Sequence, residues 1–158
     1  NAAMATHEES SDVAGAAMRA ATAAGQHIVL DGTGDNSIEN LRGKVAKLRA
    51  SGAKVEATYV TVPTEMAVER SNKRGEHPPF AGAPIGRLVP PRVVREIHAG
   101  VSRVFPQALK EGLFDKAELW DTSSGGAPVL VISQSGPGAP SKVHDEKLWR
   151  EFLAKDEV

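Results

Sequence analysis

The chain has 158 residues, enough for about one domain with a sizeable core, and its 41% apolar and 25% charged residues are ordinary globular values. Aromatics, at 4%, are too few for a base-stacking nucleic-acid platform, and a formal net charge of −1 leaves any phosphate binding to a local cluster of cations. There is no Cys for a disulfide or thiolate metal site, and with no membrane-length apolar run or signal peptide visible, the expectation is a cytoplasmic protein that does not engage nucleic acid or membrane.

In chain order, residues 6–24 read as a helix. Thr6 and Glu9 have capping-box spacing, Val13, Ala16, Ala17, Ala20 and Ala24 offer a small-residue packing face, and Gly25 is a natural stop. Glu8, Glu9 and Asp12 crowd the first turn, where carboxylates stabilise a helix N-terminus. The run His27-Ile28-Val29-Leu30-Asp31-Gly32-Thr33-Gly34 is too short for a helix. It reads as a buried parallel strand delivering Asp31 and Thr33 to its C-terminal edge, where open α/β sheets bind ligands. The same residues also suit a strand followed by a plain tight turn.

A helix is expected from about Ser37, with Ile38, Leu41, Val45 and Leu48 on one face, ended by Ser51 and Gly52. Alternation through Val55, Ala57, Tyr59 and Thr61 predicts a second strand that Pro63 closes, completing a right-handed βαβ unit. Thr64 caps a short helix that carries Arg70, Lys73 and Arg74 toward its C-terminal end. The Gly- and Pro-rich stretch 75–91 excludes regular structure; with Arg87 inside it, it resembles a lid of the kind that closes over phosphates.

Pro91 opens a helix to about Val104, followed by a shorter helical piece over 106–111. Strands are expected at 117–121 and 129–133, joined by a hairpin-like Ser123-Ser124-Gly125-Gly126, so this edge of the sheet is expected to be antiparallel. Residues 134–141 form a linker, and 143–155 an amphipathic helix whose apolar side is Leu148, Trp149, Phe152 and Leu153, placed either on the sheet or against a partner.

No His pair has zinc spacing, no G-x-S-x-G elbow occurs, and no G-x-x-x-x-G-K-[ST] is present. One anionic strand end, with three to four arginines near one lid, suits phosphoryl transfer, in which positioning and charge neutralisation provide nearly all the catalysis.

His7-Glu8-Glu9-Ser10-Ser11-Asp12, Ile28-Val29-Leu30-Asp31-Gly32-Thr33, the strand 60–63, the spaced Arg70 and Arg74, and Gly86-Arg87-Leu88-Val89-Pro90 occur in that order. Over about residues 5–122 this order resembles the zeta-toxin family of P-loop kinases. The resemblance implies a three-layer α/β/α P-loop kinase-like fold with a mainly parallel sheet, incomplete at its N-terminus. Residues 1–134 would be the C-terminal portion of the kinase domain, and 135–158 a linker and helix. It further implies ATP and Mg²⁺ as cofactors, transfer of the γ-phosphate to the 3′-hydroxyl of UDP-N-acetylglucosamine, and an antitoxin protein as partner. By that likeness Asp31 holds Mg²⁺ or substrate, Thr33 contacts the sugar nucleotide, and Glu8 or Glu9 contacts substrate. Arg70 or Arg74, together with Arg87, grips the ATP phosphates and the transferred group. The family's Walker A loop and catalytic aspartate lie upstream of the segment matching His7 and are expected in preceding sequence, so these residues alone are expected to be inactive. The alternative is a kinase-like module without catalysis, with a binding or structural role.

Overall fold

The computed structural model describes residues 7–77 and 89–157, with the side chains of His7, Glu8 and Glu157 excepted. Helix α1 spans His7–Ala23, α2 Ile38–Ala50, β1 Glu56–Thr61, α3 Thr64–Glu76 and α4 Pro91–Lys110. Strands β2 (Lys116–Asp121), β3 (Val129–Gln134) and β4 (Lys142–Val143) follow, then α5 (Glu146–Leu153) and a 3₁₀ turn, Ala154–Glu157. This is an α/β fold whose sheet has the order β1-β2-β3-β4. The pair β1/β2 is parallel, with Thr61 opposite Asp121 at its C-terminal end. The expected antiparallel edge is present as β2/β3, continued by β3/β4.

Local chemistry explains most boundaries. Gly25, at φ +67°, ends α1 by donating to Thr22 O while Gln26 donates to Ala21 O, the paired bonds of a left-handed glycine stop. Ser37 caps α2 by accepting from Asn40 N, and Asp145 caps α5 by accepting from Leu148 N. Proline starts α4 at its first position, where no N–H is required.

The core gathers Ile38, Leu41 and Val45 of α2, Val104, Phe105, Ala108 and Leu109 of α4, and Ala117 and Leu119 of β2. Phe105 lies edge-on to Phe152 of α5 at 6.0 Å, so the C-terminal helix packs on the chain's own core through buried Phe152, with Leu148 and Trp149 partly buried and Leu153 exposed. Gln134 fastens the following turn by donating to Leu109 O and Ala139 O. On the other face of β1, Glu56, Thr58 and Val60 are exposed, Val60 by 65%.

Several expectations are corrected. Residues 26–31 form no strand: Val29 is 94% and Leu30 58% exposed. A buried parallel strand needs ladder partners and covered faces, and among the described residues the ladder neighbours of β1 and β2 are only each other and β3. The parallel connection is therefore β1 to β2 by way of α3 and α4, and the expected βαβ unit around α2 is absent. Of the expected small-residue face, Val13, Ala16, Ala17 and Ala20 of α1 and Ala24 just after it are exposed, and the half-buried stripe is Gly15, Met18, Ala21 and Thr22. The helix is turned relative to its small-residue face.

Helix α4 runs on through Pro106 instead of breaking. The break would have cost Phe105, Ala108 and Leu109 their common buried face. Thr64 is the first residue of α3, with Pro63 in the cap position and no side-chain cap. Val143 pairs with Ile132 in β4, so the last helix starts only at Glu146.

Candidate functional site

The parallel pair brings its C-terminal ends, Thr61 and Asp121, to one edge of the sheet, the place where α/β folds bind ligands. A cleft of about 600 Å³ opens there. Its apolar wall includes Val93, Ile97 and Val101 of α4 with Tyr59 of β1; its polar groups include Thr33, Ser71, Arg74, His98 and Lys155. Periodicity builds that wall: Val93, Val94, Ile97 and Val101 recur on one face of α4.

The loop before α2 is pressed into place by close backbone approaches. Gly34, at φ +82°, sits where a side chain would meet Val101 and Tyr59 at 3.0 and 3.2 Å. A Cβ on Gly100 would come within 2.6 Å of Asn36 Cβ, so α4 can lie this near the loop only with glycine there. These two contacts hold Gly32 and Thr33 at the cleft.

Of the residues singled out from the sequence, the fold brings Thr33 and Arg74 to the same cleft. Arg70, one turn earlier on α3, is exposed and directs its guanidinium to Thr122 O at 3.4 Å. Asp31 is exposed immediately before the two cleft-lining loop residues, and Glu9 is exposed on α1. The side chain of Glu8, and Arg87 with the rest of 78–88 from the stretch expected to act as a lid, lie outside the described residues.

Lys155, His98 and Tyr59 also line the cleft, and the sequence marked none of them as a site residue. Lys155 Nζ donates to Thr61 Oγ1 at 2.5 Å and to Val62 O at 2.6 Å. Burial pulls its pKa down to about 8. His98 faces Thr64 Oγ1 through Nδ1 at 3.4 Å, and burial with the neighbouring Lys155 charge pushes its pKa below the usual imidazole value. Burial, with Asp35 nearby, holds the Tyr59 phenol up to about 12, so it stays protonated. An isolated lysine near the chain's end resembles any solvated charge, so only the tertiary fold could single out Lys155.

The donor set suits phosphate. Arg74 and Lys155 join none of the ion pairs formed among the described residues, and two hydroxyls, Thr33 and Ser71, share their cleft. No three His, Cys, Asp or Glu side chains converge into a metal-ligand cluster among the described residues. A single carboxylate such as Asp31 is nonetheless the usual protein contribution where phosphate oxygens and water complete an octahedron around Mg²⁺. No helix among the described residues is long and apolar enough to cross a membrane.

Comparison with curated proteins and with solved structures gave no match. Residues 1–132 match the family model described as Zeta toxin. That family comprises P-loop kinase-like toxins that in general use ATP and Mg²⁺ and are associated with antitoxin partners. With most of its length matched, and an α/β sheet edge that gathers Thr33 and Arg74, the chain belongs to the zeta toxin family.

Proposed function

We propose that the cleft at the end of β1 is the acceptor and phosphate side of a cytoplasmic sugar-nucleotide kinase. The reaction is transfer of the ATP γ-phosphate to the 3′-hydroxyl of UDP-N-acetylglucosamine. The observation that carries this reading is the meeting of Thr33 and Arg74 on one cleft at the C-terminal edge of the parallel strands. Thr33 would hydrogen-bond the sugar nucleotide, and Arg74 would neutralise phosphate charge through charge-assisted hydrogen bonds. The α4 wall offers an apolar surface for the uracil ring or the acetyl methyl group. Asp31 would hold Mg²⁺ together with phosphate oxygens, and Arg87 would reach the transferred group. Glu8 or Glu9 would contact the sugar nucleotide from α1. ATP and Mg²⁺ supply the phosphoryl group and its charge neutralisation; the Walker A loop and the proton-accepting aspartate would come from sequence before His7. An antitoxin protein would be the partner that holds this activity in check.

Calorimetry of the 158-residue chain with UDP-N-acetylglucosamine tests the acceptor side directly. Saturable binding that Arg74→Ala weakens supports the reading, and the same affinity in both proteins overturns it.

A further inference from the structure

The last helical turn places a lysine in the cleft from beyond residues 1–132, the region the family match covers. Lys155 is half-buried, and the two acceptors it contacts, Thr61 Oγ1 and Val62 O, are both uncharged. An ammonium has three N–H donors, so one remains for another oxygen. The carboxylates that act on it, Asp121 and Glu151, do so from beyond ion-pair distance. Asp121 is moreover engaged, its Oδ1 accepting from Ser123 N and Ser123 Oγ. Phe152 lies under the ammonium at 5.5 Å, and the neighbouring His98 is held toward its neutral form. A cation is thus drawn partly out of water with no anion in contact among the described residues, on a cleft that also carries Arg74. Such a charge is stabilised when an anion enters beside it.

We propose that Lys155 is a phosphate-binding residue of this cleft, donating to a phosphate oxygen of the bound nucleotide or sugar nucleotide alongside Arg74. The two neutral acceptors hold the ammonium at the end of β1, so its position is set before a ligand arrives. The C-terminal segment thereby becomes part of the ligand site. This inference rests on the reading of the cleft as the ligand site, and the experiment separates the two.

The test is competitive acetylation of the wild-type chain, with peptide mass mapping, in the absence and presence of pyrophosphate, UDP or ATP. Contact with phosphate predicts that Lys155 labelling falls by about tenfold or more at saturation while the exposed Lys147 is unaffected. The ligand that protects best identifies which phosphate is held. In parallel, Lys155→Met should weaken binding of that ligand by about tenfold to a hundredfold, and Lys155→Arg should restore most of it. Circular dichroism establishes that each variant is folded, and the labelling needs no variant at all. If UDP-N-acetylglucosamine binds in an Arg74-dependent way but Lys155 is neither protected nor required, the proposal for Lys155 is overturned and the cleft reading stands. If none of these ligands binds, both are overturned.

Discussion

Lys155 Nζ reaches across 94 residues to donate to Thr61 Oγ1 at 2.5 Å, latching the final turn of the chain to the C-terminal end of β1. The same nitrogen donates to Val62 O, so the C-terminal segment is tied to the strand end at two neighbouring acceptors.

The latch has a pH signature. Lys155 falls from an ordinary 10.5 to about 8 in the folded chain. Between those values the unfolded chain binds more protons than the folded one, so this group makes stability rise with pH across the window. Its stabilising share is complete above about pH 10.5 and is lost as pH falls toward 8. Urea titrations of wild type and Lys155→Met at several pH values should show the difference shifting in favour of wild type from pH 8 to 10.5. A difference that stays flat, or shifts the other way, contradicts a desolvated ammonium at this position.

Gly100→Ala should disturb the site without touching any polar group in it. The added methyl would meet Asn36 Cβ at 2.6 Å and Asn36 Cα at 3.1 Å, and one of the contacts is backbone. Forcing α4 and the loop apart should cost about 1–3 kcal/mol by thermal or urea denaturation. Because that loop carries Thr33, affinity for UDP-N-acetylglucosamine should fall as well. Unchanged stability would contradict an approach of Gly100 to Asn36 close enough to exclude a methyl group.

Phe152→Ala tests whether the C-terminal helix belongs to the core. Phe152 is 3% exposed, edge-on to Phe105 and stacked on Trp149 at 5.6 Å. Removing the ring should cost about 3–5 kcal/mol, the range for large-to-small changes in a packed interior. A loss under about 1 kcal/mol would instead describe a helix resting on the surface.

What the residues announced in advance depended on how local the signal was. Strand β1 was legible because Val55, Ala57, Tyr59 and Thr61 alternate, and α1 was legible to its stop because Gly25 supplies the left-handed turn. The antiparallel edge followed from the Gly-rich joint at 123–126. The run Ile28-Val29-Leu30 misled because a short apolar run carries no periodicity; whether it pairs depends on neighbours that local sequence does not reveal. Pro106 misled in the opposite direction, since packing of Phe105, Ala108 and Leu109 holds the helix through it. At the cleft, Thr33 came from the Asp-Gly-Thr pattern, whereas the basic helix end left Arg70 and Arg74 as alternatives, and only the tertiary placement puts Arg74 at the cleft. Lys155 could not be singled out, because its importance lies in a pairing with Thr61 that spans most of the chain.

The two arginines of α3 give the sharpest discrimination. Arg74 lines the cleft, whereas Arg70 turns to Thr122 O. Calorimetric titration of UDP-N-acetylglucosamine into wild type, Arg74→Ala and Arg70→Ala should show Arg74→Ala weakening binding by about tenfold or more, the worth of a charge-assisted hydrogen bond, with Arg70→Ala close to wild type. Equal affinity in all three proteins, or a loss confined to Arg70→Ala, would contradict a phosphate site at the end of β1.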